Sequence, residues 1–137
     1  MSSTQASHAA GKDHTATVRE RTAELIRLVE AGKFLEAIER FYRDDALMQE
    51  NDASPRRGLA ALLENERKVL ASVREMRGRA ESYLVDGDRS AINWVFEYID
   101  PAGIRRRLNE IAYQEWRDGK ICAEKFFYDP GQRKAEV

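Results

Sequence analysis

Apolar residues recur along this chain in two rhythms, helical in the first half and alternating in the second. Over residues 16–31, Leu25, Ile26, Leu28 and Val29 gather on one side of a polar segment, and Gly32 follows where a left-handed residue caps a helix. Phe34, Leu35, Ile38, Phe41 and Tyr42 keep helical spacing through a short second helix, which Asp44-Asp45 closes. Leu47 and Met48 begin a short strand running to about residue 50, and 52–57, with Pro55, reads as a loop. Gly58 opens a third helix, to about residue 74, along the stripe Leu59, Leu62, Leu63, Glu66, Val69, Leu70 and Val73.

After the third helix the period shortens. Residues 77–86 predict a strand ending in Asp86-Gly87, a pair that favours a tight hairpin turn. Further strands are expected over 90–99, 105–117 and 121–128, separated by turns at Asp100-Pro101-Ala102-Gly103 and Asp118-Gly119-Lys120. Helices followed by a meander indicate an α+β fold, with three N-terminal helices packed on one face of an antiparallel sheet. Residues 1–15, rich in Ser, Thr and Ala without apolar periodicity, read as a disordered tail. The folded domain is expected over 16–130, and 131–137 reads as a frayed C-terminal tail.

Composition narrows the chemistry. The 137 residues carry 23 Lys and Arg against 24 Asp and Glu, a near balance that argues against a polyanion binder and hence against nucleic acid. The Arg105-Arg106-Arg107 run reads as a solvated strand edge. No apolar run is long enough to span a membrane and no signal-like segment follows Met1, so the expected location is cytoplasmic. The single cysteine, Cys122, excludes an internal disulfide and reads as a small buried hydrophobe. Both histidines, His8 and His14, fall in the N-terminal tail. Histidine-based catalysis and His-ligated metal are therefore excluded from the domain, and no Asp-rich loop has calcium-binding spacing. Neither metal nor cofactor is expected, and any acid–base chemistry falls to carboxylates, Tyr or Lys.

Several carboxylates sit where apolar side chains belong. Glu66 lies in the third helix's stripe between Leu62 and Leu70, either pointing at the sheet or reaching water from the stripe's edge. Alternation places Leu108, Glu110, Ala112, Gln114 and Trp116 on one face of their strand, and Cys122, Glu124, Phe126 and Tyr128 on one face of the next. The opposite faces carry Ile111, Tyr113, Ile121 and Phe127, so both sides are partly apolar and period alone does not tell which is inner.

The runs Phe41-Tyr42-Arg43-Asp44-Asp45-Ala46, Met48-Gln49-Glu50-Asn51 and Pro55-Arg56-Arg57-Gly58 resemble the front of SnoaL-like proteins. Those proteins belong to the superfamily of nuclear transport factor 2, the ketosteroid isomerases and limonene epoxide hydrolase. The closing stretch, from Glu110-Ile111-Ala112-Tyr113-Gln114-Glu115-Trp116 to Asp129-Pro130, is similar to the C-terminal strands of one SnoaL-like branch. The resemblance covers about 17–130 and implies a cystatin-like cone, its strongly curved sheet wrapped on three helices around an internal pocket. It also implies a homodimer through the outer sheet face, where Ile111, Tyr113 and Phe127 would lie. Glu50 then matches the aspartate base of ketosteroid isomerases, while Leu25 and Ala112 stand where their oxyanion donors would be, so that steroid isomerisation is not expected. Glu110 or Glu124 could replace the acidic base of the cyclases, and the Arg-Asp-Asp constellation of the epoxide hydrolases is not found.

This alignment sends Glu50, Glu66, Glu110 and Glu124 into one partly apolar cavity, where at least one carboxyl should hold its proton unusually tightly. Glu50 is the expected base, with Glu110, Glu124 or Glu66 as acid or partner. Asn51, Gln114 and Tyr128 would orient polar groups of a small-molecule ligand, while Trp94, Phe96 and Trp116 would supply apolar or cation-facing wall. Two alternatives stay open. Arginines such as Arg57, Arg77 or Arg79 could neutralise the glutamates in a structural network, and the cone could bind a ligand, or simply dimerise, without catalysis.

Overall fold

The computed structural model describes residues 17–133. The expected tail over 1–15, and residues 134–137 of the expected 131–137 tail, lie outside the described residues. Three helices precede most of the sheet: α1 over 17–30, α2 Phe34–Phe41 and α3 Leu59–Ser72. Gly32, at φ 80°, ends α1 with paired bonds from the Gly32 and Lys33 amides back to the Val29 and Leu28 carbonyls.

Six strands form one open, curved sheet in the order β2-β1-β6-β5-β4-β3. They are β1 Tyr42–Glu50, β2 Arg56–Arg57, β3 Arg74–Asp86, β4 Arg89–Ile99, β5 Arg105–Arg117 and β6 Lys120–Phe127. The α+β architecture holds as expected, with one refinement to the antiparallel sheet: β1 runs parallel to β6, so the sheet is mixed. A parallel partner is possible because most of the chain separates the two strands. Strand β1 also begins earlier than the apolar pattern suggests, at Tyr42, which pairs with Ile121; the polar Arg43-Asp44-Asp45 run then lies in an irregularity before Leu47 pairs with Ala123. Arg56–Arg57, expected in a loop, pairs with Leu47 and Met48 as a two-residue strand.

The core lies between helices and sheet. Val18, Leu25, Ile26 and Val29 of α1, Ala37, Ile38 and Phe41 of α2 and Leu62 of α3 pack against Ile92, Trp94, Ala112, Trp116 and Ile121. Burial alternates along β5, with Leu108, Glu110, Ala112, Gln114 and Trp116 facing the helices. The register shifts between Glu115 and Trp116, and an extra residue on β6 turns Ile121 inward and leaves Cys122 half-buried. Both residues therefore depart from simple alternation: Ile121 belongs to the core, and the Cys122 thiol donates to the Glu115 carbonyl oxygen at 3.4 Å. At the C-terminus, a 3-10 turn over Pro130–Arg133 is tied back to β5. The Asn109 amide donates to Gln132 Oε1, and Gln132 Nε2 donates to the Asn109 carbonyl. No helix among the described residues is long and apolar enough to cross a membrane.

Candidate functional site

A cavity of about 480 Å³ lies between the inner sheet face and the helices. Its wall is mainly apolar, with Leu25, Val29, Phe34, Met48, Trp94 and Phe126 among the contributors. Trp94 and Phe96 tilt against each other with ring centroids 5.5 Å apart, and Phe34 stands 6.4 Å from Phe96. Glu50, Glu66, Glu110 and Glu124 all line this space, together with Gln114. Each arrives from a different place in the fold. Glu50 ends β1, Glu66 lies on the inward side of α3, Glu110 stands opposite Trp94 on β5, and Glu124 stands opposite Gln114 on β6.

Glu124 is the most constrained of the four. Its Oε1 accepts from the Tyr42 hydroxyl at 2.5 Å, and its Oε2 accepts from Gln114 Nε2 at 2.7 Å. A directional chain fixes that second bond. Trp116 Nε1 can only donate, and it donates to Ser90 Oγ at 2.8 Å; Ser90 in turn donates to Gln114 Oε1 at 2.7 Å. The Gln114 amide thus has one permitted orientation, with its NH2 group toward Glu124. Burial pushes the Glu124 carboxyl from the ordinary 4.5 up to about 7; the bonds from Tyr42 and Gln114 restrain the rise and the charge of Glu66 adds to it. Burial, and then the negative charge of Glu50, raise Glu66 as well. The Tyr42 phenol is pushed well above its ordinary value by burial and by Glu124.

Glu50 is held differently. Its Oε1 accepts from the Tyr128 hydroxyl at 2.6 Å, and its Oε2 lies 3.1 Å from Arg56 Nη1. The short strand β2 makes this possible, since pairing Met48 with Arg56 sets the guanidinium beside the end of β1. Among the arginines named as candidate neutralisers, Arg57 and Arg77 are exposed and Arg79 pairs with Glu81.

Three expected ligand contacts fall outside the cavity wall. Asn51 Oδ1 accepts from the Tyr128 amide and so braces the strand end. The Tyr128 side chain is engaged with Glu50 rather than turned to the cavity. Trp116 is buried edge-on against Phe41, with its indole N–H used by Ser90. Trp94, Phe96 and Gln114 do line the space.

Three participants escape the apolar pattern of the sequence. Tyr42 looks like the last apolar residue of the α2 stripe, but it is the helix's C-cap and the first residue of β1, which turns its hydroxyl to Glu124. Arg56 sits in a stretch read as loop. Arg106, read as part of a solvated edge, instead points inward. Arg105 and Arg107 are exposed, whereas the Arg106 side chain keeps 10% of its surface and pairs with Asp100 at 2.7 Å. Period-2 alternation from Leu108 places Arg106 on the inner face, and this was the available signal. Among the described residues, no group of three or more His, Cys, Asp and Glu side chains is placed to hold a metal ion.

With this geometry in hand, a family model described as "SnoaL-like domain" matches residues 22–124. No curated protein sequence matches significantly. Among solved structures, a SnoaL-like protein of Mesorhizobium loti shares 25% identity at a TM-score of 0.73, over 81% of this chain and 98% of its own. An epoxide hydrolase of the LEH-like type from M. tuberculosis superposes with a TM-score of 0.69 at 15% identity, covering 84% of each chain. A Catenulispora acidiphila protein of ketosteroid isomerase-like fold, solved with trimethylamine, gives a TM-score of 0.72 at 11% identity, over 82% of this chain and 88% of that one. The last two likenesses speak to the fold alone.

Proposed function

The chain belongs to the SnoaL-like domain family, and from that premise we propose that its cavity binds a small, partly apolar molecule and moves a proton on it by carboxylate chemistry, without metal or cofactor. One observation carries the reading: a buried carboxyl, Glu124, is raised to about 7 while gripped by Tyr42 and Gln114 at the cavity wall. A group poised near neutral pH can hold or release a proton at little cost.

The fixed Gln114 amide dictates where that proton goes. Because Gln114 Nε2 donates to Oε2, a proton on Glu124 sits on Oε1, facing the Tyr42 oxygen. Tyr42 then accepts instead of donating, and its own O–H is released toward the cavity. In this state Tyr42 can donate to an oxygen on which negative charge develops, which is what Leu25 and Ala112 cannot do. Glu50, oriented by Tyr128 and Arg56, serves as the base, and Trp94 and Phe96 hold the apolar body of the substrate. Isomerisation, cyclisation and hydration or dehydration beside a carbonyl share this step, and Glu66 and Glu110 would modulate the charge around it. The second reading, binding without turnover, is favoured by Leu25 and Ala112 at the two positions where ketosteroid isomerases carry donors. We also propose that a second copy covers the outer sheet face.

Exchange of the α-protons of 2-tetralone in D2O, followed by 1H NMR, tests the assignment with a simple ketone probe. The protein is expected to accelerate exchange, and Glu50→Gln to remove roughly 100-fold or more of that acceleration. Tyr42→Phe should lower it while leaving probe affinity nearly unchanged. Exchange insensitive to Glu50→Gln overturns the proton-transfer reading. Binding at the cavity with no acceleration leaves the non-catalytic one.

A further inference from the structure

We propose that Arg106 and Asp100 form an anion-recognising end of the cavity, which takes the carboxylate of an elongated ligand whose apolar body lies along Phe96 and Trp94. The inference rests on the reading of the cavity as a small-molecule site and names the class of molecule it takes.

The cavity is chemically polarised along β5. Gln114 stands beside Glu124, Glu110 stands opposite Trp94, Leu108 opposite Phe96, and Arg106 opposite Tyr98. Arg106 and Gln114 are eight residues apart on one strand face, up to roughly 26 Å of extended chain. Helix α3 runs the same way, with Glu66 near Glu124 and Ser72 near the start of β3, which pairs with Ile99. One end therefore gathers carboxylates. At the other, Arg106 is the one cationic side chain in the cavity wall among the described residues. An anionic ligand group is repelled from the first end and drawn to the second.

Arg106 is built to donate there. Asp100 Oδ2 accepts from Nε at 2.8 Å and lies 2.7 Å from Nη2 in the ion pair, and so takes one edge of the guanidinium. Nη1 is buried and has no hydrogen-bond partner. With nine-tenths of the side chain buried, it cannot turn to bulk solvent for one. Asp100 is itself locked, because its Oδ1 accepts from the Ala102 and Ile104 amides of the β4–β5 turn. The aspartate thus aims the guanidinium and leaves Nη1 without a partner; Arg106 contributes to the cavity wall, and a ligand there reaches that enclosed nitrogen once the side chains around it give way. A carboxylate meets such a donor with a charge-assisted bond.

The test uses biphenyl-4-carboxylate and the neutral biphenyl-4-methanol, with dissociation constants from 1H–15N NMR titration. The carboxylate is expected to bind about tenfold or more tightly than the alcohol. Arg106→Met should abolish that preference while the alcohol binds as before. Asp100→Asn keeps an acceptor for the turn amides but sets an NH2 group against the N–H groups of Arg106, so the guanidinium loses its aim and the carboxylate preference should fall severalfold. Equal affinities in the unsubstituted protein, or a preference that survives Arg106→Met, overturns the proposal. If Arg106→Met does not fold, Asp100→Asn decides, and an unchanged or larger carboxylate preference counts against the proposal. The alcohol's shifts at Trp94 and Phe96 separate the two readings. If neither probe perturbs the cavity, the small-molecule reading fails and takes this inference with it; if the alcohol binds without a carboxylate preference, only this inference fails.

Discussion

At the scale of single residues, Glu124 carries a thermodynamic signature of its unusual position. Its carboxyl ionises near 4.5 in an unfolded chain and near 7 in the fold. Below pH 4.5 both states are protonated and no penalty exists. Between the two values the unfolded chain has released its proton and the native state still holds one, so stability falls as pH rises. Above 7 both are ionised and the full penalty stands, on the order of 3 kcal/mol. Glu124→Gln mimics the protonated carboxyl, since it can accept from Gln114 and donate to Tyr42. We expect the variant to match the unsubstituted protein near pH 4.5 and to exceed its stability by a few kcal/mol at pH 8. Urea denaturation across this range checks it, and parallel stability curves for the two proteins would contradict it. While the choice of inner face and the place of Glu50 came from the family resemblance, Glu66, Glu110 and Glu124 were legible as charges among apolar positions, from period 3.6 on α3 and period 2 on β5 and β6. The partners were not. Tyr42, Arg56 and Arg106 acquire their roles from a helix–strand junction, a two-residue strand and a turn aspartate, and local apolar patterning has no access to such tertiary neighbours. The misplacement of Trp116 and Tyr128 has the same origin: alternation specifies a face, but not whether a side chain on it meets the cavity or the protein's own polar groups.

At the scale of elements, close approach between β3 and β4 shapes the cavity's aromatic wall. Gly78 lies opposite Phe96 in the sheet, and a Cβ added there would stand 2.6 Å from Phe96 Cε1 and 3.1 Å from Val29 Cγ1. The Phe96 ring can yield only toward the cavity it lines, because Trp94 and Phe34 flank it. Gly78→Ala should therefore cost about 1–3 kcal/mol of stability and drive the ring into the cavity. Urea denaturation, together with weaker binding of biphenyl-4-methanol, would register both effects; an alanine variant of unchanged stability and affinity would show that the ring moves freely. A glycine inside a strand is a sequence signal for such an approach, although nothing in the sequence says which side chain approaches. Element boundaries show a similar division. Helices with a clear stripe and the hairpin at Asp86-Gly87 fall close to their expected limits, whereas β1 and β2 do not. Their residues are mostly polar, and they become strands because long-range pairing to β6 and to each other satisfies their backbones.

At the scale of the whole molecule, the curved sheet leaves an unusual outer surface. Ile111 and Phe127 are direct cross-strand partners on β5 and β6, and Tyr113 pairs with Lys125 one step away. Ile111, Tyr113 and Phe127 keep 39%, 36% and 46% of their surface, a concentration of large apolar side chains on one face. Cations hold it together: Lys125 Nζ lies 4.9 Å from the Phe127 ring centroid, and the Arg89 guanidinium lies 5.7 Å from that of Tyr113. The inner face of the same strands is committed to the cavity, so covering the outer one leaves the proposed site undisturbed. A two-fold partner would place the same patch against itself and bury each charged side chain's aliphatic stem along with the rings. Ile111→Arg introduces a charge at the centre of that contact, diagonal to Lys125 across the β5–β6 pair. We expect the unsubstituted protein to sediment as a dimer at micromolar concentrations and Ile111→Arg to weaken association about 100-fold. Because the substitution faces away from the cavity, binding of biphenyl-4-carboxylate should be retained. A monomer in both proteins would return the apolar outer face to solvent. A dimer indifferent to Ile111→Arg would place the contact elsewhere, with β3, the other exposed edge of the sheet, the next surface to substitute.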